Sequence, residues 1–301
     1  MTVYVDPDFR DEALRHSLYD GNLIVLTRLH AVSEFVDYTR GELTELFKPY
    51  DPEQAHEHFD PAVMAQMLSV WKPRFIHADE SKRLVCEIIK GAGFPAEHTH
   101  YDVPKPRTSY PVGHLTTGVA FAFPWHRDTW YSAPGQQINW WLPIFPARPD
   151  NSMAFDLNNF DQPVPNTSGT FDYYLNNAQR LTTATGTTKE HQSRPGAVDH
   201  KPVNELVVLP PPGGVLLFSG NQLHTSIPNT SGRARYSIDF RTVDARDLIA
   251  GRGAPFVDVH CTGTAVRDFR NIDDGSSFRE ETVVELFGAP PPNAMLVYGE
   301  P

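Results

Sequence analysis

The stretch GVLLFSGNQLHTSIPNTSGRARYSIDFRTV (residues 214–243) carries the pattern that decides the fold. An apolar run at Val215–Ser219 and a β-branched and aromatic run at Arg235–Val243 each predict a strand. Between them, the Pro-Asn-Thr-Ser-Gly sequence at 228–232 is typical of a turn. This part of the chain is therefore predicted to form the end of a β-rich core.

Similar short runs occur upstream, whereas the first hundred residues have helical periodicity. The further predicted strands are Tyr101–Val103, Gly118–Phe123, Gln137–Ile144, Met153–Leu157 and Glu205–Leu209. The predicted helices are 8–19, 30–47, 61–71 and 81–90, with one apolar strand at 23–27. Helices followed by many strands predict a mainly β fold with flanking helices, a sandwich or jelly roll.

We expect one domain over residues 1–301, with a mostly helical front (1–100), a β core (101–245) and a C-terminal extension (246–301). Residues from about 158 to 202 interrupt the core with polar sequence rich in Asn, Thr, Gly and Pro. A long insertion of this kind is typical of a lid over a binding site, with disorder as the alternative.

The composition argues against several classes of protein. Lys and Arg total 26 against 37 Asp and Glu, a net charge of −11, whereas binding a nucleic-acid backbone needs a basic surface. The charge weakly favours a neutral or cationic small substrate. Two cysteines, Cys86 and Cys261, argue against a disulfide framework, a cysteine zinc site and an iron–sulfur cluster. No apolar run is long enough to span a membrane and the N-terminal sequence is unlike a signal peptide, so we expect a cytoplasmic protein.

His126, Asp128 and His224 are the candidate metal ligands. In an extended segment residues i and i+2 point to the same face, so His126 and Asp128 should lie side by side at a strand end. His224 also follows a strand. Two imidazoles and one carboxylate form the facial triad that suits Fe(II) and leaves coordination positions open. Each residue could instead be structural, and a second pair, His98 and His100, has no matching carboxylate.

Arg235 is the candidate anchor for an anionic cosubstrate. The turn at 228–232 brings Arg235 back towards His224, where a guanidinium can bind a carboxylate through two hydrogen bonds. Arg233 is the alternative anchor, because a spacing of two places both arginines on one face of a strand.

The order of these motifs resembles the Fe(II)- and 2-oxoglutarate-dependent oxygenases. The resemblance rests on His-x-Asp at 126–128, the distal His224, and Arg235 eleven residues later followed by Tyr236-Ser237. The His224-Thr225-Ser226 triplet and Asn229 in the turn are similar to the phytanoyl-CoA dioxygenase-like branch. The resemblance covers roughly residues 100 to 245.

The resemblance implies a double-stranded β-helix, a jelly-roll, cupin-like fold. It implies that His126, Asp128 and His224 bind Fe(II), and that Arg235, with Ser226 or Ser237, binds 2-oxoglutarate. The reaction would use O2 to oxidise a small organic molecule by hydroxylation, desaturation or ring closure. The insertion at 158–202 predicts a polar substrate and natural product biosynthesis as the setting. Because related halogenases lack the carboxylate ligand, Asp128 predicts oxygenation. The alternatives are a cupin-like metal enzyme that does not use 2-oxoglutarate and a non-enzymatic jelly-roll binding module with a structural metal.

Overall fold

The computed structural model describes residues 1–111, 123–184, 193–292 and 294–295. Most of the strand predicted at Gly118–Phe123 lies outside these residues, and Phe123 itself is irregular. The helices are α1 Asp11–Tyr19, α2 His30–Phe47, α3 Pro61–His77, α4 Asp79–Gly91, α5 Tyr173–Ala184, α6 Ala245–Ala250 and α7 Glu280–Phe287. The strands are β1 Val3–Val5, β2 Leu23–Leu26, β3 Thr99–Tyr101, β4 Lys105–Ser109, β5 Ile138–Pro143, β6 Met153–Asp156, β7 Glu205–Val207, β8 Val215–Ser219, β9 His224–Ser226, β10 Arg235–Asp244 and β11 Arg270–Asn271.

The described strands form two sheets. The larger has the order β1-β2-β8-β5-β10-β3-β11, with β4 also paired to β10, and the smaller has the order β7-β6-β9. The chain passes from β5 in the larger sheet to β6 and β7 in the smaller one, and then alternates between the sheets at β8, β9 and β10. A mainly β architecture with flanking helices, consistent with a jelly roll, is therefore present.

The front helices cover one face of the larger sheet. The apolar stripe of α2 buries Val32, Phe35 and Val36, as its 3.6-residue periodicity predicts. Helix α3 continues to His77, past the predicted end at residue 71, although Pro73 lies inside it. Phe75 stacks on Phe35 at 5.9 Å between ring centroids, so packing stabilises the last turn of the helix.

Strand β5 contributes side chains to both faces of the larger sheet. Ile138, Trp140 and Leu142 belong to the core beneath the helices. Trp141 packs in a second cluster between the two sheets, where it meets Phe155 of β6. The alternation follows from the two-residue period of a strand, and it sends the adjacent tryptophans to opposite faces.

Strand β10 is apolar on one face and polar on the other. Tyr236, Ile238 and Phe240 face the helices. The alternate residues Arg235, Ser237, Asp239 and Arg241 therefore face the interior between the sheets. These charged and polar side chains on the central strand indicate a polar site in the interior between the two sheets.

The remaining segments complete the described structure. The end of β10 and the C-terminal extension share a small core, which includes Val243, Leu248 and Phe269. Cys86 and Cys261 are both free thiols. Among the described helices, none combines the length and apolar character needed to cross a membrane.

Candidate metal centre

His126 and His224 are brought together by their backbones. The N–H of each donates to the carbonyl of the other, at 2.9 and 3.0 Å, in an isolated antiparallel bridge. Directly opposite residues in such a bridge have neighbouring side chains, and the two imidazole centroids are 4.2 Å apart. His224 itself lies in β9, which pairs with β6. The structure thus places two residues that are far apart in sequence against each other.

Asp128 completes the cluster from the start of a 3-10 helix, Asp128–Tyr131. Its N–H donates to the carbonyl of Gly220 at 2.8 Å, which ties it to the end of β8. A side chain at Gly220 would meet Gln137, with its Cβ 3.2 Å from the Gln137 Cβ, so glycine suits this crossing point. One ligand atom from each of His126, Asp128 and His224 lies within 4.8 Å of the others.

The histidine rings are oriented with their Nε2 atoms available. His126 Nδ1 lies 2.8 Å from the carbonyl of Pro124, and His224 Nδ1 lies 2.8 Å from the carbonyl of Gln222. A carbonyl can only accept, so each Nδ1 carries the proton and each Nε2 presents a lone pair. Burial, followed by the charge of His224, lowers the pKa of His126 to about 3, and burial also lowers the pKa of His224. Both rings are therefore held neutral, the form that binds a metal.

The Asp128 carboxylate is held ionised and oriented. Burial raises its pKa, but the positive charge of Arg241, whose Nε lies 3.6 Å from Oδ2, brings the pKa below the ordinary value. Gln137 Nε2 donates to Oδ2 at 3.0 Å. The other carboxylate oxygen of Asp128, Oδ1, lies 3.6 Å from His126 Nε2. The arrangement thus supplies two neutral nitrogens and one anionic oxygen, a donor set that fits Fe(II) and similar divalent ions.

Arg235 lies on the interior face of β10 beside Trp141. Its guanidinium carbon is 5.9 Å from the centroid of the Trp141 ring, and Nη1 donates to Ser237 Oγ at 3.2 Å. The Nε atom is enclosed and has no hydrogen-bond partner among the described residues. Burial lowers the pKa of Arg235 to about 10, so the group is still cationic at neutral pH.

The two other residues proposed near this anchor have different surroundings. Arg233 lies in the turn before β10, where Nη1 is 3.3 Å from the Glu53 carboxylate. Ser226 lies on β9 in the smaller sheet, and its N–H donates to the carbonyl of Phe123 at 3.0 Å. The hydroxyl that contacts Arg235 is therefore that of Ser237.

The interior face also carries charged residues that the sequence reading missed. Arg107 on β4 makes a two-point ion pair with Asp239, with Nη2 to Oδ2 at 3.1 Å. The Arg241 guanidinium contacts the same carboxylate at 3.1 Å. The backbone N–H of Arg241 also donates to Asp102 Oδ1 at 2.7 Å. The alternation of charged residues along β10 was the available signal, but the partner strand β4 was not predicted.

Arg127 lies between the candidate ligands His126 and Asp128 in the sequence, but its guanidinium contacts residues outside the metal centre. Its fully buried guanidinium donates to the carbonyls of Asn221 at 2.5 Å and Phe160 at 2.9 Å, and to Asp258 Oδ2 at 3.2 Å. The carbonyls of Asn159 and Gln162 accept further hydrogen bonds from it. One side chain thus joins the metal-binding loop to the start of the insertion.

The described part of the polar insertion contacts the loop that carries His126. Its two limbs pair at Asn166 and Ala197, and the Ala197 N–H donates to the carbonyl of Trp125 at 2.8 Å. The hydroxyl of Tyr131 donates to the carbonyl of Pro195 at 2.7 Å. The limb after the undescribed residues 185–192 therefore lies against the loop that carries His126.

Other candidates lie elsewhere. His100 stacks on Phe278 at 3.8 Å, and His98 is near Glu97 at 3.8 Å, so this pair has packing and surface contacts. His114 and His191 are outside the described residues. A cleft of about 500 Å³ is lined by residues flanking the metal loops, not by the ligands themselves: Phe123, Pro124, Trp125, Ala154, Glu205, Thr225, Ser226, Ile227 and Pro228.

Comparison with known proteins gives only structural likenesses. No family model matches the chain, and no curated protein matches it. It is similar to EvdO2 from Micromonospora carbonacea var. aurantiaca, with 14% identity over 79% of this chain and 92% of that chain and a TM-score of 0.48. A second EvdO2 structure, complexed with 2-oxoglutarate, has a TM-score of 0.47, with the same identity and coverage. The epimerase SnoN in complex with Fe3+, alpha ketoglutarate and nogalamycin RO is 12% identical over 78% of this chain and 85% of that chain, with a TM-score of 0.42. All three scores are below 0.5, and the identities are 12–14%.

Proposed function

We propose that this protein is a non-haem Fe(II)- and 2-oxoglutarate-dependent oxygenase acting on a small organic molecule. The observation that carries the proposal is the enclosed Nε of Arg235, which has no hydrogen-bond partner among the described residues. Arg235 lies on the same face of β10 as Arg241, which contacts Asp128 of the metal-binding cluster. An enclosed cationic donor without an acceptor is unfavourable unless a ligand supplies one. A carboxylate is the acceptor that best fits a guanidinium.

The three ligand residues fit the metal in charge, protonation and geometry. His126 and His224 would bind through Nε2, and Asp128 would bind through Oδ1. When bound, iron and 2-oxoglutarate supply the oxidation: O2 is reduced while 2-oxoglutarate is decarboxylated to succinate and the substrate is oxidised. The three protein ligands leave coordination positions for the cosubstrate and O2.

The surrounding residues fix the ligands before the metal arrives. The carbonyls of Pro124 and Gln222 set the tautomer and orientation of the two imidazoles. Gln137 and Arg241 contact Asp128 Oδ2, and these contacts orient the carboxylate and keep it ionised. The Oδ1 atom is thereby left for the metal. This preorganisation spares the protein the entropy of ordering the side chains on binding.

Arg235 and Ser237 are suited to bind the far carboxylate of 2-oxoglutarate. Nη1 of Arg235 already contacts the Ser237 hydroxyl, and Nε is available for a second hydrogen bond. The Trp141 ring supports the guanidinium from one side. Arg233 is the weaker candidate because the Glu53 carboxylate already neutralises it.

Arg235 also separates the proposal from its alternatives. A cupin-like metal enzyme that does not use 2-oxoglutarate, or a binding module with a structural metal, needs no enclosed guanidinium on this face. The oxygenase accounts for both the metal cluster and this cation.

The finer assignments belong to the same proposal. We propose a double-stranded β-helix, supported by the alternation of β5 to β10 between the two sheets. Membership of the phytanoyl-CoA dioxygenase-like branch, one domain over residues 1–301, natural product biosynthesis and a cytoplasmic location stay predictions from the sequence. The outcome, whether hydroxylation, desaturation or ring closure, also stays open to product analysis.

The proposal is tested by anaerobic addition of Fe(II) and 2-oxoglutarate while visible absorption is recorded. The wild-type protein should develop a charge-transfer band that titrates with 2-oxoglutarate. Arg235→Ala removes a charge-assisted pair worth about 2 to 5 kcal/mol, so the Kd for 2-oxoglutarate should rise by at least about 30-fold. Arg233→Ala is the matched control and should change the Kd by less than about twofold, since Arg233 is partly exposed in the turn before β10 and already pairs with Glu53. Absence of the band in the wild type, or an unchanged Kd in Arg235→Ala, would contradict the proposal.

A further inference from the structure

Asn139 of β5 faces the interior between the two sheets. Its neighbours in the strand, Ile138 and Trp140, pack in the core beneath the helices, so the two-residue period of the strand turns Asn139 to the opposite face. Asn139 lies directly opposite Phe218 of β8 on one side and Arg241 of β10 on the other. Directly opposite residues of a sheet share a face, so these three side chains are adjacent.

Both of these neighbours contact candidate metal ligands. The centroid of the Phe218 ring is 5.1 Å from that of His224. The Nε atom of Arg241 is 3.6 Å from Asp128 Oδ2. The Asn139 side chain therefore lies between the residues that flank two of the three ligands.

The orientation of the Asn139 amide follows from the Asp128 carboxylate. An ionised carboxylate can only accept hydrogen bonds, so Gln137 must turn its NH2 group to Asp128 Oδ2, which is 3.0 Å away. The same Gln137 Nε2 also donates to Asn139 Oδ1, at 2.8 Å. Because Asn139 presents its oxygen to Gln137, the two N–H donors of its Nδ2 point elsewhere.

These two donors have no acceptor among the residues that the structure describes. The Asn139 side chain is nevertheless enclosed, with 4% of its surface exposed. An enclosed donor without an acceptor is unfavourable unless a ligand supplies one. The other donor group beside the ligands, the Arg241 guanidinium, already contacts the carboxylates of Asp102, Asp128 and Asp239.

We infer that Asn139 binds the 2-oxo acid end of the cosubstrate, with Nδ2 donating to an oxygen of the carboxylate at the metal. The inference rests on the proposed function, which assigns the far carboxylate of the same molecule to Arg235. A hydrogen bond to an ionised group is about twice as strong as one between neutral groups, so one amide donor contributes measurably to affinity. Asn139 and Arg235 thus recognise opposite ends of 2-oxoglutarate.

The test compares 2-oxoglutarate with pyruvate, which has the same 2-oxo acid group but lacks the far carboxylate. Each is titrated anaerobically into protein loaded with Fe(II), and the charge-transfer band reports binding. Asn139→Leu should raise the Kd of both ligands by at least about tenfold, as expected for loss of a hydrogen bond to a charged group. Arg235→Ala should raise the Kd of 2-oxoglutarate alone.

The position of the band gives a second measurement. A hydrogen bond to the 2-oxo acid group stabilises the orbital that receives the transferred charge. The band of the 2-oxoglutarate complex should therefore move to shorter wavelength in Asn139→Leu and keep its position in Arg235→Ala.

Two controls separate these effects from damage to the fold. Asn22→Leu is the matched substitution, because the Asn22 amide contacts Thr2 and Ser17 beside β2, and it should leave each Kd unchanged. Affinity for Ni(II) should change by less than about threefold in Asn139→Leu, since Gln137 keeps its hydrogen bond to Asp128. Asn139→Ala removes the same donors without adding bulk, and it replaces Asn139→Leu in the test if leucine disturbs the fold.

The outcomes distinguish this inference from the proposed function. A Kd for 2-oxoglutarate within about threefold of the wild-type value in the Asn139 variant, or an unmoved band, would overturn the inference and leave the proposed function standing. Weaker binding of 2-oxoglutarate with unchanged binding of pyruvate would also overturn it, because the effect would then lie at the far carboxylate. Absence of the band when 2-oxoglutarate is added to the wild type would refute the proposed function, and the inference with it.

Discussion

Replacement of Arg127 by methionine should destabilise the fold and loosen the metal centre together. The guanidinium is fully buried and lies between the ligands His126 and Asp128 in sequence. Methionine keeps a similar length and apolar character but removes the charge and every donor. The variant therefore tests whether this one side chain joins the metal-binding loop to the segments around it.

The magnitude follows from the partners that would be left behind. Arg127 donates to the carbonyls of four residues and to the Asp258 carboxylate. Removing one member of a buried ion pair costs about 3 to 5 kcal/mol. Asp258 keeps hydrogen bonds from Trp130 Nε1 at 2.8 Å and the Val164 N–H at 3.0 Å, so the lower end, about 3 kcal/mol, is expected.

The assay is urea unfolding followed by fluorescence, with metal affinity measured by calorimetry on the same variants. Arg74→Met is the matched control, because Arg74 pairs with Glu42 at 2.7 Å but its side chain is 69% exposed. An exposed pair of this kind contributes about 0 to 1 kcal/mol. Metal affinity should fall by about 10- to 100-fold in Arg127→Met, as for other residues that orient ligands, and should not change in Arg74→Met.

A loss of less than about 1 kcal/mol in Arg127→Met would refute the reasoning, because such a value is typical of a surface contact. A large loss of stability with unchanged metal affinity would refute only the expected effect on metal binding. It would show that the ligands keep their positions without the contacts that Arg127 makes to the insertion.

Three further outcomes are expected. Gln137→Leu should lower metal affinity by about 10- to 100-fold in a titration with Ni(II), because it removes the donor to Asp128 Oδ2. An unchanged affinity would mean that Arg241 alone is enough to orient the Asp128 carboxylate. Burial raises the pKa of Asp239, but the charges of Arg107 and then Arg241 hold that pKa well below its ordinary value of 3.8. The ionised carboxylate therefore stabilises the fold above about pH 4, and this stabilisation is lost as the pH falls below about 4. Urea unfolding between about pH 3 and 6 should show a smaller loss of stability in acid for Asp239→Asn than for the wild type, and parallel curves would count against this. With Asp128 present, turnover in chloride should give oxygenated product by mass spectrometry, and chlorinated product would contradict the assignment of that carboxylate as a ligand.

Local sequence patterns predicted the elements that local chemistry controls. The apolar stripe of α2, the strand at Val215–Ser219 and the long strand beginning at Arg235 all occur as expected. The predicted strand at Tyr101–Val103 is instead β3 Thr99–Tyr101, because Asp102 turns its carboxylate to the Arg241 N–H as the chain leaves the strand. Strand β4 was missed, since Lys105–Ser109 has no apolar alternation and is stabilised by pairing with β10.

The sequence by itself determined the residue types of the candidate site: two histidines, a carboxylate and an arginine at spacings that fit ends of strands. Tertiary structure alone decided their surroundings. The pairing of His126 with His224 joins two segments that are distant in sequence. The contact of Arg233 with Glu53, and the enclosed Nε of Arg235, distinguish the candidate anchor from its alternative. The physical reason is that a strand fixes only which residues share a face, whereas charge balance, burial and unmatched donors depend on what the neighbouring strands bring to that face.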